Sequence, residues 1–196
     1  MSSRLFILAR DSKATAVIEF ALVLPAMLLL IMGMSEVSYQ GYMQSVLSGA
    51  MQKAGRDSTI QGNSTSSVDT AVLAQVRSVN RNAAFVAGYP LRQSFNAFGA
   101  IKPEPFTDSN GNGVRDPGEC FSDVNGNGVW DANPGIAGQG GASDAVVYTV
   151  SITYPRLFPV AMLLGWNRLT TMSATTILKN QPYAAQTSSI PATVCT

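Results

Sequence analysis

"KATAVIEFALVLPAMLLLIMGM", Lys13 to Met34, is an apolar run interrupted by one carboxylate, Glu19. From Ala14 to Met34 it counts about 21 residues, close to the ~20 that carry a helix across ~30 Å of hydrocarbon. A secretory signal has a shorter apolar core, followed by a small-x-small cleavage site. Here Met34-Ser35-Glu36-Val37 follows instead, so the run reads as a retained membrane helix, with an unusual signal peptide as the alternative. Arg4, Arg10 and Lys13 precede the span, and no Lys or Arg follows until Lys53. The positive-inside rule then leaves the N-terminus in the cytoplasm and sends the remainder outward. Pro25, which lacks an N–H, is expected to bend the helix locally.

The apolar pattern continues past the span. Tyr39, Met43, Val46, Leu47, Ala50, Met51 and Ala54 recur at spacings of three and four, which places them on one helical face. Gln40, Gln44, Ser45, Ser48 and Gln52 take the opposite face. One long helix follows, half in lipid and half amphipathic, whose outer half must pack on its own domain or on neighbouring copies.

Composition narrows the function classes. Net charge is +1, so no basic field suggests nucleic acid. Histidine is absent, which removes the commonest general base and metal ligand. No G-x-S-x-G, no P-loop and no cysteine with a base appear, so the reading is of a non-enzyme with no catalytic residues. Two cysteines are too few for a thiolate metal site.

Glu19 is the residue that composition does not account for. An ionisable group at the centre of a membrane helix costs on the order of 2.5–3.5 kcal/mol, and such groups usually have partners. The alternative places Glu19 in the headgroup zone, because it lies only about one and a half turns beyond Lys13.

The stretch "RDSKATAVIEFALVLPAMLLLIMGMSEVSYQGYMQSVLSGAMQKAGRDS" resembles the TadE-like pseudopilins of the tight-adherence (Flp, type IVb) pilus system. The shared pattern is a basic stub, a small residue, four residues, then Glu19-Phe20 and "ALVLP". Gly33 with Glu36, and Ala54-Gly55-Arg56, also match. The resemblance implies a membrane-anchored minor pseudopilin that takes part in pilus assembly. It also implies cleavage by a prepilin peptidase between Ala14 and Thr15, although Ala14 stands where such sites usually carry glycine. Glu19 would become the fifth residue and pair with the freed amine of an adjacent subunit, so that two costly groups offset each other. Implied partners are the prepilin peptidase, other pseudopilins, the major pilin and the inner-membrane assembly platform. The implied location is the bacterial inner membrane, single-pass with a periplasmic C-terminal domain, and incorporation into the pilus stays open.

The expected fold is α+β: a long N-terminal transmembrane and amphipathic helix, then a small periplasmic domain with a second helix and an antiparallel sheet. Residues 1–14 form the basic cytoplasmic leader, 15–60 the helix and 61–196 the domain. A Gly/Asn/Ser/Thr patch from Gln61 to Ser67 ends the first helix, and Ser67 is expected to cap a second over Val68–Ala84. Val72, Val76, Val79 and Ala83 would form its apolar face. "AVVYTVSITYP" (Ala145–Pro155) and "RLTTMSATTILKN" (Arg168–Asn180) read as strands. Between them, "RLFPVAMLLGW" reads as a buried connection, with a membrane-surface patch as the alternative. The tail after Pro182 is expected to be loosely held.

"DSNGNGVRDPGE", Asp108 to Glu119, satisfies the D-x-[DN]-x-[DN]-G-x5-E calcium-loop pattern. Asp108, Asn110, Asn112, the Val114 carbonyl, Asp116 and a bidentate Glu119 would be the ligands, and Gly113 permits the sharp turn. A second loop repeats the pattern with Asp123, Asn125, Asn127, Gly128, Val129 and Asp131, but Pro134 takes its twelfth position. That loop therefore lacks its closing carboxylate. Pro103, Pro105 and Pro117 argue against an EF-hand pair, leaving stand-alone calcium loops spanning 108–134, or plain Asn-Gly turns with no ion. Cys120 and Cys195 fall on the outer side, where disulfides persist. A bond between them would close about 75 residues, worth ~4 kcal/mol in the chain-entropy model, with free thiols as the alternative. A rival to the pilus reading is a calcium-stabilised binding or adhesion module tethered by its helix, which leaves Glu19 unexplained.

Overall fold

The computed structural model describes residues 12–58, 64–158, 162, 165–180 and 191–196. Helix α1 runs Ser12–Asp57 without a break at Pro25, and α2 runs Thr65–Arg77. Among the described residues seven strands follow: β1 (Ala84–Phe85), β2 (Leu91–Phe95), β3 (Cys120–Asp123), β4 (Ile136–Ala137), β5 (Ala145–Pro155), β6 (Leu169–Lys179) and β7 (Ala192–Cys195). The fold is α+β with antiparallel pairing, as the patterning implied. The basic stub Arg4 and Arg10 lies outside the described residues, as do Gln61 to Asn63 and 181–190.

The chain divides into two compact units. One joins the helix through Met43 to Pro155–Thr170. Its apolar stretch, Thr15 to Met34, is exposed along nearly its whole length: Val17, Leu22 and Leu30 are each more than 60% exposed. Glu36 is buried and accepts hydrogen bonds from Gln40 Nε2 (3.3 Å), Arg156 Nη1 (3.4 Å) and the Leu157 backbone N–H (3.1 Å). The Arg156 guanidinium also lies 5.8 Å from the Trp166 ring centroid. Among its described residues the expected buried connection is largely exposed: Leu157 is 52% exposed, Met162 53% and Trp166 59%. The physical reason is local. The Arg156 guanidinium and the Leu157 backbone N–H are fastened to Glu36, and Leu157, Met162 and Trp166 stay exposed.

The second unit holds Gln44–Tyr154 and Thr171–Thr196. Its five-stranded sheet is ordered β1-β5-β2-β4, with β6 also paired to β5. In β5, Val146, Tyr148, Val150, Ile152 and Tyr154 alternate into the core and are fully buried. The helical stripe Leu47, Ala50, Met51 and Ala54 is buried as its spacing dictates. Gly55 explains its own small size: a Cβ there would meet Leu178 of β6 at 3.3 Å. Helix α2 begins earlier than expected, capped by Ser64, whose Oγ accepts from Ser67 N–H at 3.2 Å. It also ends earlier, at Arg77, because Asn80 accepts from the Asn82 N–H at 3.1 Å and turns the chain. Val68, Val72 and Val76 form its buried face, and Ala83 is buried beyond the helix end. Asp69 on α2 binds Arg92 and accepts from Tyr148 Oη at 2.6 Å. Burial, then this carboxylate, pushes the Tyr148 hydroxyl pKa well above its ordinary range.

The tail is not loose where it is described. β7 pairs with β3 in a two-stranded sheet with Cys120 opposite Cys195, and a disulfide joins the two.

Candidate functional site: an unpartnered carboxylate and two matched loops

Ala14 and Thr15 both lie within α1, and Thr15 is exposed. Glu19 and Phe20 are exposed on the apolar stretch of the same helix. Among the described residues, no hydrogen bond or ion pair reaches Glu19. From Thr15 to Met34 the helix rises roughly 30 Å at ~1.5 Å per residue, the thickness of a bilayer core. It is long and apolar enough to cross a membrane, and none of its most apolar stretch is buried in the protein. A segment of this kind offers lipid or a neighbouring chain a continuous apolar surface. It also offers a carboxylate whose charge nothing in its own described surroundings answers.

Residues 14–56 match the family model described as TadE-like protein. The helix is a TadE-like segment. No curated protein matches the chain, and no solved structure does. The TadE-like segment covers the apolar run, Glu19, Glu36 and the amphipathic stripe, and it stops one residue short of the end of α1. The match is consistent with involvement in the tight-adherence pilus system.

The outer region holds the two Asp/Asn loops, and they are built alike. In the first, Asp108 Oδ1 accepts from Gly111 N–H (2.6 Å) and Oδ2 from Gly113 N–H (2.8 Å). In the second, Asp123 accepts from Gly126 and Gly128 N–H at the same two distances, 2.6 and 2.8 Å. Asn110 and Asn112 donate to Asp116 (2.7 and 2.8 Å), as Asn125 and Asn127 donate to Asp131 (2.8 and 2.7 Å). Gly113 (φ 77°) and Gly128 (φ 76°) take the left-handed conformation that a side chain disfavours. Val114 and Val129 are exposed, and their N–H groups donate to Asn112 and Asn127. The Asp108 carboxyl is held below its ordinary pKa, first by the Gly113 N–H and then, against an opposing desolvation, by the N–H groups of Gly111, Asn112 and Asn110.

The missing closer of the second loop is present, but upstream. Glu119 accepts from Ser109 N–H (2.7 Å) and Asp116 N–H (3.0 Å). Glu104 accepts from the equivalent pair in the second loop, Val124 N–H (2.7 Å) and Asp131 N–H (2.9 Å). Glu104 is 1% exposed, and its backbone oxygen takes a further bond from Trp130 Nε1 at 2.9 Å. The backbone explains its arrival. Phe106 bridges Phe121 in antiparallel register, with Thr107 N–H donating to the Cys120 carbonyl and Ser122 N–H to the Pro105 carbonyl. Continuing that register sets Asp108 opposite Glu119 at one end and Glu104 opposite Asp123 at the other. Each end of the ladder therefore carries one aspartate and one glutamate. Sequence reading missed Glu104 because a loop motif scans forward from its first aspartate, whereas this ligand-equivalent position is filled from across a strand. Flanking helices are absent from both loops, as the prolines required.

Among the described residues, no three His, Cys, Asp or Glu side chains converge into a ready-made metal centre. The carboxylates are occupied by backbone N–H groups and by asparagine amides. The orientation of the Asn110 and Asn112 amides is set from both sides, their Nδ2 groups donating to Asp116 and their Oδ1 atoms accepting from the Asn112 and Val114 N–H groups. The oxygen donors of a hard-cation loop are thus present in the right types, with the amides presenting nitrogen.

Proposed function

We propose that the chain is a minor pseudopilin, anchored in the bacterial inner membrane by its TadE-like helix and acting non-catalytically in assembly of a type IVb pilus. One observation carries this reading. Glu19 sits on the apolar, exposed stretch of α1 and has no partner among the described residues. A neighbouring chain's amine, freed by cleavage between Ala14 and Thr15, would answer that charge. Two groups that are each expensive in hydrocarbon then stabilise one another. The partners that follow are the prepilin peptidase, other pseudopilins, the major pilin and the inner-membrane platform, with the outer region on the periplasmic side. Glu19→Leu tests it in cells: surface filaments should fall to background while the protein still floats with membranes. Normal piliation in that variant would end the reading. Mass spectrometry of the membrane form should find a mature chain that begins at Thr15.

A second reading concerns the outer region alone. The equivalence of Glu104 and Glu119 supports two calcium loops of equal standing, which would brace an extracytoplasmic binding module. Asp108, Asn110, Asn112, Val114, Asp116 and Glu119 would serve the first. Asp123, Asn125, Asn127, Val129, Asp131 and Glu104 would serve the second. Millimolar calcium, the range of extracellular modules, should raise the melting temperature of the full chain in detergent. An unchanged melt would leave the loops as protein-only turns.

A further inference from the structure

We infer that the β5–β6 connection is a second membrane contact: Leu157, Met162 and Trp166 enter the headgroup boundary of the leaflet on the far side from the basic stub. The inference rests on the anchoring role of α1 proposed above. Its position is set by Glu36, two residues past the end of the apolar run at Met34. Glu36 binds both Arg156 and the Leu157 backbone N–H, so the connection leaves the helix where the hydrocarbon ends. Leu157, Met162 and Trp166 are each more than half exposed, a cost in water for which no described residue compensates. From Leu157 to Trp166 the sequence carries no charge, yet it is too short to span; apolar runs of ~10–14 residues suit a buried or interfacial role, and here the buried role is excluded for the described side chains. Arg156, held by Glu36, precedes the run, and the exposed Arg168 follows it with its guanidinium free of that pairing. Tryptophan and arginine together are the residues that settle at the headgroup level, the ring at the boundary and the guanidinium toward phosphate. A bilayer surface meets all these features at once. A protein partner would account for the apolar side chains but not for their placement beside the lipid-facing helix.

Trp166 is its own reporter. The full chain and W166F would be reconstituted in vesicles of phosphatidylethanolamine and phosphatidylglycerol, with and without bromine on the upper acyl carbons. The difference spectrum isolates Trp166 from Trp130. It should emit at shorter wavelength than indole in water, lose most of its intensity to the brominated lipid, and resist aqueous iodide. Iodide quenching with no effect of bromine, in protein that floats with the vesicles, overturns the inference while leaving the anchor standing. Shielding that follows the protein-to-lipid ratio instead of bromine overturns it too, in favour of a second copy. Protein that fails to float removes the anchor itself, and this inference with it.

Discussion

Glu19 and Glu36 are carried by the same helix and meet opposite circumstances. Glu36 is buried and held by a guanidinium, an amide and a backbone N–H from its own chain. Glu19 is exposed on an apolar surface and receives nothing from any described residue. A carboxylate satisfied inside its chain is a fixture of the fold, and its removal should be felt as lost stability. A carboxylate left unanswered contributes nothing to the isolated chain, and its removal should be felt only when chains meet.

Glu104 belongs with Glu36 and should give the largest effect of this kind. Glu104→Ala strands the Val124 and Asp131 N–H groups in a buried site, at roughly 1–3 kcal/mol for each unsatisfied group. Urea unfolding followed by Trp130 fluorescence should therefore show a loss of several kcal/mol. A loss within the ±0.5 kcal/mol typical of surface substitutions would break the equivalence of Glu104 and Glu119.

Glu36→Gln should be milder, on the order of 1 kcal/mol, because the ion pair it weakens is partly solvated. Its signature is local: Trp166 should become more accessible to iodide while the melt of the outer strands barely moves. A global shift as large as that of Glu104→Ala would mean that Glu36 supports more than the connection.

Acid should act on the loops through Asp108. Its folded pKa is depressed, so its contribution is present above the unfolded value of ~3.9 and is lost as pH falls through the lower folded value. The acid-side midpoint should move toward neutral pH by only a small amount when Asp108→Asn deletes that step, since the group is open to solvent. Smallest of all is Glu19→Leu, which should leave the melt unchanged while abolishing filaments.

Long periodic signals were legible in the sequence, and short or non-local ones were not. Met43, Leu47, Ala50, Met51 and Ala54 announce their buried stripe through spacing alone, and β5 announces itself through β-branched alternation. Strands β1 and β4 have two residues each, too few for any alternation to register. β7 was hidden by a Ser/Thr/Ala composition, and it owes its order to the partner strand and the disulfide. The loop frame of Asp108 and Asp123 was visible because each aspartate binds backbone within five residues. Glu104 was invisible because its role exists only once Phe106 has found Phe121. The connection after Pro155 misled for a related reason: hydropathy reports that a segment avoids water, and does not say whether protein or lipid replaces it.

The Cys120–Cys195 bond has a mechanical consequence for the chain under tension. Tension entering through the helix and leaving beyond β7 crosses from one sulfur to the other and bypasses everything between them. β5 and β6 lie inside that closed ring, so a pull along this route puts no load on them through their own backbone. The ring spans a sequence separation of 75 residues. At ~3.3–3.6 Å per extended residue, about 250 Å of slack is thereby kept out of reach of the pulling force.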